Sequence, residues 1–129
     1  MRYKALFAGV AFMLLASTAS AHHSFPAHYI ADSSVELKGR VVEFLWRNPH
    51  SFIHLEVENE AGVPELWALE WHNTVQMTRM GHSPDDLQPG DIVIVTGNPA
   101  RDGTRRVRLV TLTRPADGFS VTREGGARD

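Results

Sequence analysis

Seven histidines and no cysteine stand out in this chain of 129 residues, so any transition-metal chemistry must run through imidazole nitrogen rather than thiolate sulfur. Two of them adjoin as His22-His23, directly after Ala21. A chain cut after Ala21 begins His22-His23-Ser24-Phe25, and an amino-terminal histidine offers both its free amine and its ring to one ion. A further imidazole completes a T-shaped nitrogen set suited to copper, a histidine brace in outline. The expected third ligand is His50, with His28, His54 and His72 as additional candidates. A cut after Ala19 would instead expose Ser20-Ala21-His22, whose amine, two amides and imidazole form a square-planar site for Cu(II) or Ni(II). The plainer reading is that histidines beside a cleavage site occupy a solvated chain end.

His50 and His54 fall on one face of an expected strand but roughly 13 Å apart along it. They cannot chelate one ion unaided, and each needs a partner from another element, such as Glu70 or His72. A second candidate site is the aromatic set Phe44, Trp46, Phe52, Trp67 and Trp71 with Arg101, Arg105, Arg106 and Arg108. Trp46, Phe52 and His54 would then line a face for a small molecule, sugar or polypeptide, whereas the plain reading makes the aromatics core and the arginines solvated edge charges. Conventional catalysis has little to draw on. Ser24 and Ser51 lack the glycines of a nucleophile elbow, there is no phosphate-binding glycine loop, and Asp85, Asp86 and Asp91 suit caps and turns. A copper-dependent redox enzyme at the terminal histidines is the enzymatic alternative to a binding module.

The metal reading depends on what precedes His22. Arg2 and Lys4 open the chain, an apolar stretch runs from Ala5 to Ala16, and Ser17-Thr18-Ala19-Ser20-Ala21 supplies small residues for a peptidase. That is the layout of a secretory signal, and its apolar stretch is too short to span a bilayer. The expectation is residues 1–21 as signal peptide, cleaved near Ala21, and a periplasmic or secreted product with no membrane insertion. No cysteine also means no disulfide and no lipid-bearing thiol. About 108 residues remain, enough for one core. Cleavage leaves eleven basic residues against fifteen acidic ones, a poor balance for nucleic-acid binding. The expected partner is a metal ion or small ligand.

Five strands should position these groups. Val35 to Trp46 is β-branched and aromatic with a bend at Gly39, and Arg47-Asn48-Pro49 is a turn. In His50 to Glu58 a period of two puts Ser51, Ile53, Leu55 and Val57 on the core face. Asn59 to Gly62 is a hairpin turn, and Glu65 to Trp71 a third strand. Asn73 to Met80, stopped by Gly81, reads as a short helix, and Ser83-Pro84-Asp85-Asp86 as a further helical turn. Ile92 to Thr96 reads as a fully buried fourth strand, and Arg105 to Thr113 as a fifth. Nothing periodic follows Pro115.

Three strands, a helix and two strands is the order of a small OB-like five-stranded barrel, mainly β, with its one short helix between strands three and four. The expected domain covers 22–114 and a flexible tail covers 115–129. Fold of this kind carries no function of its own.

Ala21-His22-His23-Ser24-Phe25, Gly39-Arg40-Val41, Trp46-Arg47-Asn48-Pro49-His50, Leu87-Gln88-Pro89-Gly90-Asp91 and Ala100-Arg101-Asp102-Gly103 span almost the whole expected domain. Jointly they resemble the motifs of a family of small exported bacterial proteins of unknown function, DUF6152. The resemblance implies export and a shared fold, brings no activity, and directs attention to His22, His23 and His50. His72 lies outside those motifs.

Overall fold

The computed structural model of the protein describes residues 24–128. The expected signal peptide, residues 1–21, and His22 and His23 lie outside the described residues.

The chain opens with helix α1 (Ser24–His28), then β1 (Val35–Leu45), β2 (Phe52–Glu58), β3 (Pro64–Glu70), helix α2 (Thr74–Arg79), β4 (Ile92–Pro99) and β5 (Arg106–Arg114). β1 pairs antiparallel with both β2 and β4, β2 with β3, and β4 with β5. A short parallel pairing, Ala68 with Arg106 through Glu70 with Arg108, joins β3 to β5 and closes the barrel. Closure removes the free edges that an open sheet would leave. This is the mainly β, five-stranded barrel with a short helix between strands three and four that the element order implies.

Alternation fills the interior. Val41, Ile53, Leu55, Leu69, Val93, Val95, Val107, Leu109 and Leu112 are buried, and Trp71, Met77 and Leu87 plug the barrel where α2 and the following loop cross it. Helix α2 starts as its sequence implies, with the Asn73 side chain accepting from the Gln76 amide at 2.8 Å, which satisfies an amide that lacks a helical partner. Gly97 lets β4 and β5 approach closely, since a Cβ there would overlap the Arg108 carbonyl and the Val107 side chain.

Three expectations differ from the structure. The 115–129 segment is not a featureless tail: β6 (Phe119–Thr122) pairs antiparallel with the second half of β5, and β7 (Gly125–Arg128) pairs with β6. Val121 enters the core from it and Phe119 packs partly buried against the core, two apolar residues too few to show as a period. Ser83 to Asp86 forms a turn rather than a helical turn, closed by the Asp86 amide on the Ser83 carbonyl at 3.2 Å. β4 is not buried on both faces: Val93 and Val95 point inward while Ile92 is exposed, because one face of a barrel strand always looks outward. Helix α1 carries no periodic signal and owes its place to tertiary contacts. No helix among the described residues is long and apolar enough to cross a membrane.

Candidate binding site at the barrel closure

The parallel register that closes the barrel also fixes the chemistry outside it. With Leu69 and Val107 turned into the core, their neighbours Glu70, Arg106 and Arg108 project to the outer face. That face is covered by the segment from α1 to Tyr29. The Ile30 amide donates to the Pro99 carbonyl at 3.0 Å and the Arg101 amide to the His28 carbonyl at 2.8 Å, and Tyr29 bridges to Ala100. Glu70 is thereby buried, although it stands on the outside of a strand.

His50 arrives from the β1–β2 turn, which contains a cis Asn48–Pro49 bond. Ser51 pins that turn: its amide donates to the His72 carbonyl and its carbonyl accepts from the Trp71 amide, both at 2.9 Å. Asn48 accepts from the Thr74 amide and hydroxyl at 3.0 Å, tying the same turn to α2.

These elements enclose a cavity of about 350 Å³ with His28 and His50 on its wall beside Glu70 and the arginines. Glu70 organises it. Its Oε2 accepts the Tyr29 hydroxyl and, at 2.7 Å, Arg106 Nη2, while Oε1 is in contact with His50 Nδ1. Burial pushes the Glu70 carboxyl up, but hydrogen bonds from Tyr29 and Arg106 and the charges of Arg106 and His50 outweigh it and hold the group below its ordinary value. Burial and the Glu70 carboxylate push the Tyr29 phenol well up, so it is a firm proton donor to Glu70. The Arg106 guanidinium also lies 5.0 Å from the centre of the Phe52 ring.

Two further arginines differ from Arg106. The Arg108 guanidinium stacks 3.8 Å from the centre of Phe25 and makes no ion pair among the described residues. Arg123, beyond β6, donates Nη1 to the Glu70 and Leu109 carbonyls at 3.3 Å, and its Nε is buried with no partner among the described residues. Burial and the neighbouring Arg108 charge push it down to about 10. Burial also lowers Arg108, against the opposing pull of Glu70 and the exposed Glu124.

The expected site residues divide accordingly. His50 and His28 share the cavity, whereas His22 and His23 lie outside the described residues. His72 stands half-buried with Nε2 2.8 Å from the Arg123 carbonyl, which occupies the ring nitrogen. His54 lies elsewhere on the barrel, 3.3 Å from Glu43. Trp46 packs edge-on to Phe44 and lines a hollow with Val75 and Thr78, whereas Phe52 lines another with Arg47 and His50. No three histidine or carboxylate groups among the described residues converge as a metal cage. Tyr29 and Arg123 carry no site signal in the sequence, and Phe25 stands there only within the Ala21–Phe25 motif. For Tyr29 and Arg123 the signal is no more than an aromatic or basic residue inside segments without periodicity.

A family model described as a family of unknown function (DUF6152) matches residues 11–108. No curated protein matches the chain. Among solved structures, the mitochondrial single-stranded DNA binding protein of S. cerevisiae is similar at a TM-score of 0.47 and 15% identity, over 63% of this chain and 92% of that one. That likeness carries no statement about ligands.

Proposed function

The chain belongs to the DUF6152 family, whose function is unknown, and from its own residues we propose that it is an exported, non-enzymatic binding module. Its ligand is a transition metal, with copper favoured, held by His22, His23 and His50. The observation that supports this reading is the contact of His50 Nδ1 with the Glu70 carboxylate. Metal-bound histidines characteristically rest their other ring nitrogen on a carboxylate, which fixes the tautomer and aims the free nitrogen at the ion. Here Glu70 is itself held by Tyr29 and Arg106, and His50 Nε2 has no partner among the described residues. The side chain is half exposed, so it can be reached. His28 on the same wall is a further imidazole within the cavity. The cleavable leader supplies the amine, because only a chain cut after Ala21 presents His22 as its first residue.

The test is native intact-mass measurement of the exported protein, untagged at its amino terminus, titrated with Cu(II) against a moderate chelator. The expected species starts at His22 and retains one copper. Extension of the mature start by one residue and His50→Ala should each weaken retention tenfold or more, about the loss of one ligand. A protein that starts at His22 and retains no copper overturns the reading. So does retention by the extended or His50→Ala form equal to that of the parent.

A further inference from the structure

Arg108 and Arg123 face the same cavity with no carboxylate bonded to either among the described residues, whereas Arg106 spends its charge on Glu70. From this we infer that the cavity carries a second site, for a small divalent oxyanion of the phosphate or dicarboxylate class, bound by the guanidiniums of Arg108 and Arg123.

Charge is the first support. Glu70 and Arg106 cancel, which leaves two cations on one wall, and the exposed Glu124 acts on Arg108 only through space. Placing two partly desolvated cations side by side is unfavourable unless an anion offsets them. A dianion matches the two charges; a monoanion leaves one uncompensated.

Hydrogen bonding is the second. Each guanidinium carries five donors in a fixed planar fork suited to oxyanions. Arg123 uses Nη1 on two carbonyls, and its buried Nε–H has no acceptor among the described residues. Arg108 uses one flat face on Phe25, which orients the plane and leaves its N–H edge for a ligand. His28 and His50 add imidazole donors to the same wall. The 350 Å³ volume admits an ion of phosphate size or a short dicarboxylate. The site does not depend on copper, although a bound anion would also ease the repulsion that these arginines exert on a cation at His50.

The test uses the whole exported protein freed of metal with a chelator. Calorimetric titration at constant ionic strength compares inorganic phosphate, succinate and acetate. Phosphate or succinate should bind at least tenfold more tightly than acetate, and which of the two is stronger assigns the class. Arg108→Gln should weaken that ion about tenfold or more, the scale of one lost charged hydrogen-bond pair. Arg123→Lys keeps the charge but loses the fork and should weaken it too. Arg79→Gln, on α2 away from the cavity, should not. Absence of binding by any of the three ions overturns the proposal, as does an equal response of Arg79→Gln and Arg108→Gln. Circular dichroism of each variant confirms that a loss is not unfolding.

Discussion

Tyr29 donates its hydroxyl to Glu70 across 41 positions of sequence, and that bond holds the amino-terminal segment over the barrel closure. The same carboxylate meets Arg106 and His50, so one buried acid sets the positions of a lid residue, a strand residue and a turn residue.

Tyr29→Phe keeps the ring, including its stack on Phe25 at 6.1 Å, and removes only the donor. The expected cost is about 1.5–3 kcal/mol, the range for a hydrogen bond to a charged group, read from urea midpoints. Protease cleavage near α1 should rise in parallel. A variant as stable as the parent would show that the bond contributes nothing.

Glu70 has its folded pKa held below the ordinary value near 4.5. The depressed group contributes stability above its unfolded pKa, and that contribution disappears as pH falls through the folded pKa. Urea unfolding followed downward from pH 5 should therefore lose stability more steeply in the parent than in Glu70→Gln. Identical slopes would remove Glu70 from the account of acid sensitivity.

Burial lowers His72 from its ordinary 6.5, aided by the charges of Arg123, Arg108 and His50 and opposed by the Arg123 carbonyl. Its neutral form suits the fold, so the stability it contributes is present above pH 6.5 and is lost as pH falls through the folded pKa. Proton NMR should place the His72 ring titration below that of an unfolded histidine. A midpoint at or above 6.5 would contradict the placement of this ring.

Val121 is 1% exposed and anchors β6 to the core. Val121→Ala should cost about 1–3 kcal/mol through lost burial and a residual cavity, measured by thermal or chemical unfolding. A change within the range of ordinary surface substitutions would return this segment to the status of a tail.

Gly97→Ala would drive a methyl into the Arg108 carbonyl and the Val107 side chain. The backbone cannot yield without parting β4 from β5, so a loss of about 1–3 kcal/mol or more is expected. Because Arg108 belongs to the displaced strand, phosphate or succinate binding should weaken as well. Unchanged stability and binding would show that the strands part freely.

Local pattern was enough to read the barrel. Ser51, Ile53 and Leu55 announce a core face by alternation, Asn73 caps α2, and three strands, a helix and two strands leave few topologies. Pairing His50 with a strand-three residue was also legible, since its neighbour on the same face stands too far along the strand. The choice between Glu70 and His72 was not legible. The structure turns His72 toward the Arg123 carbonyl and Glu70 toward His50, which depends on how far β3 runs before the chain leaves it.

By itself, the sequence determined the five barrel strands, the helix between strands three and four, their order and the core face of β2, because those follow from short-range geometry and from alternation along a strand. It also set the two histidines that follow Ala21. Tertiary structure alone decided that Arg106, Arg108, Arg123, Tyr29 and Glu70 share one cavity. The parallel pairing of β3 with β5 and the docking of α1 bring together residues up to 94 positions apart, counting from Tyr29 to Arg123. Contacts at such separations leave no period in the chain, and their energy comes from groups that recognise one another only after the barrel has closed.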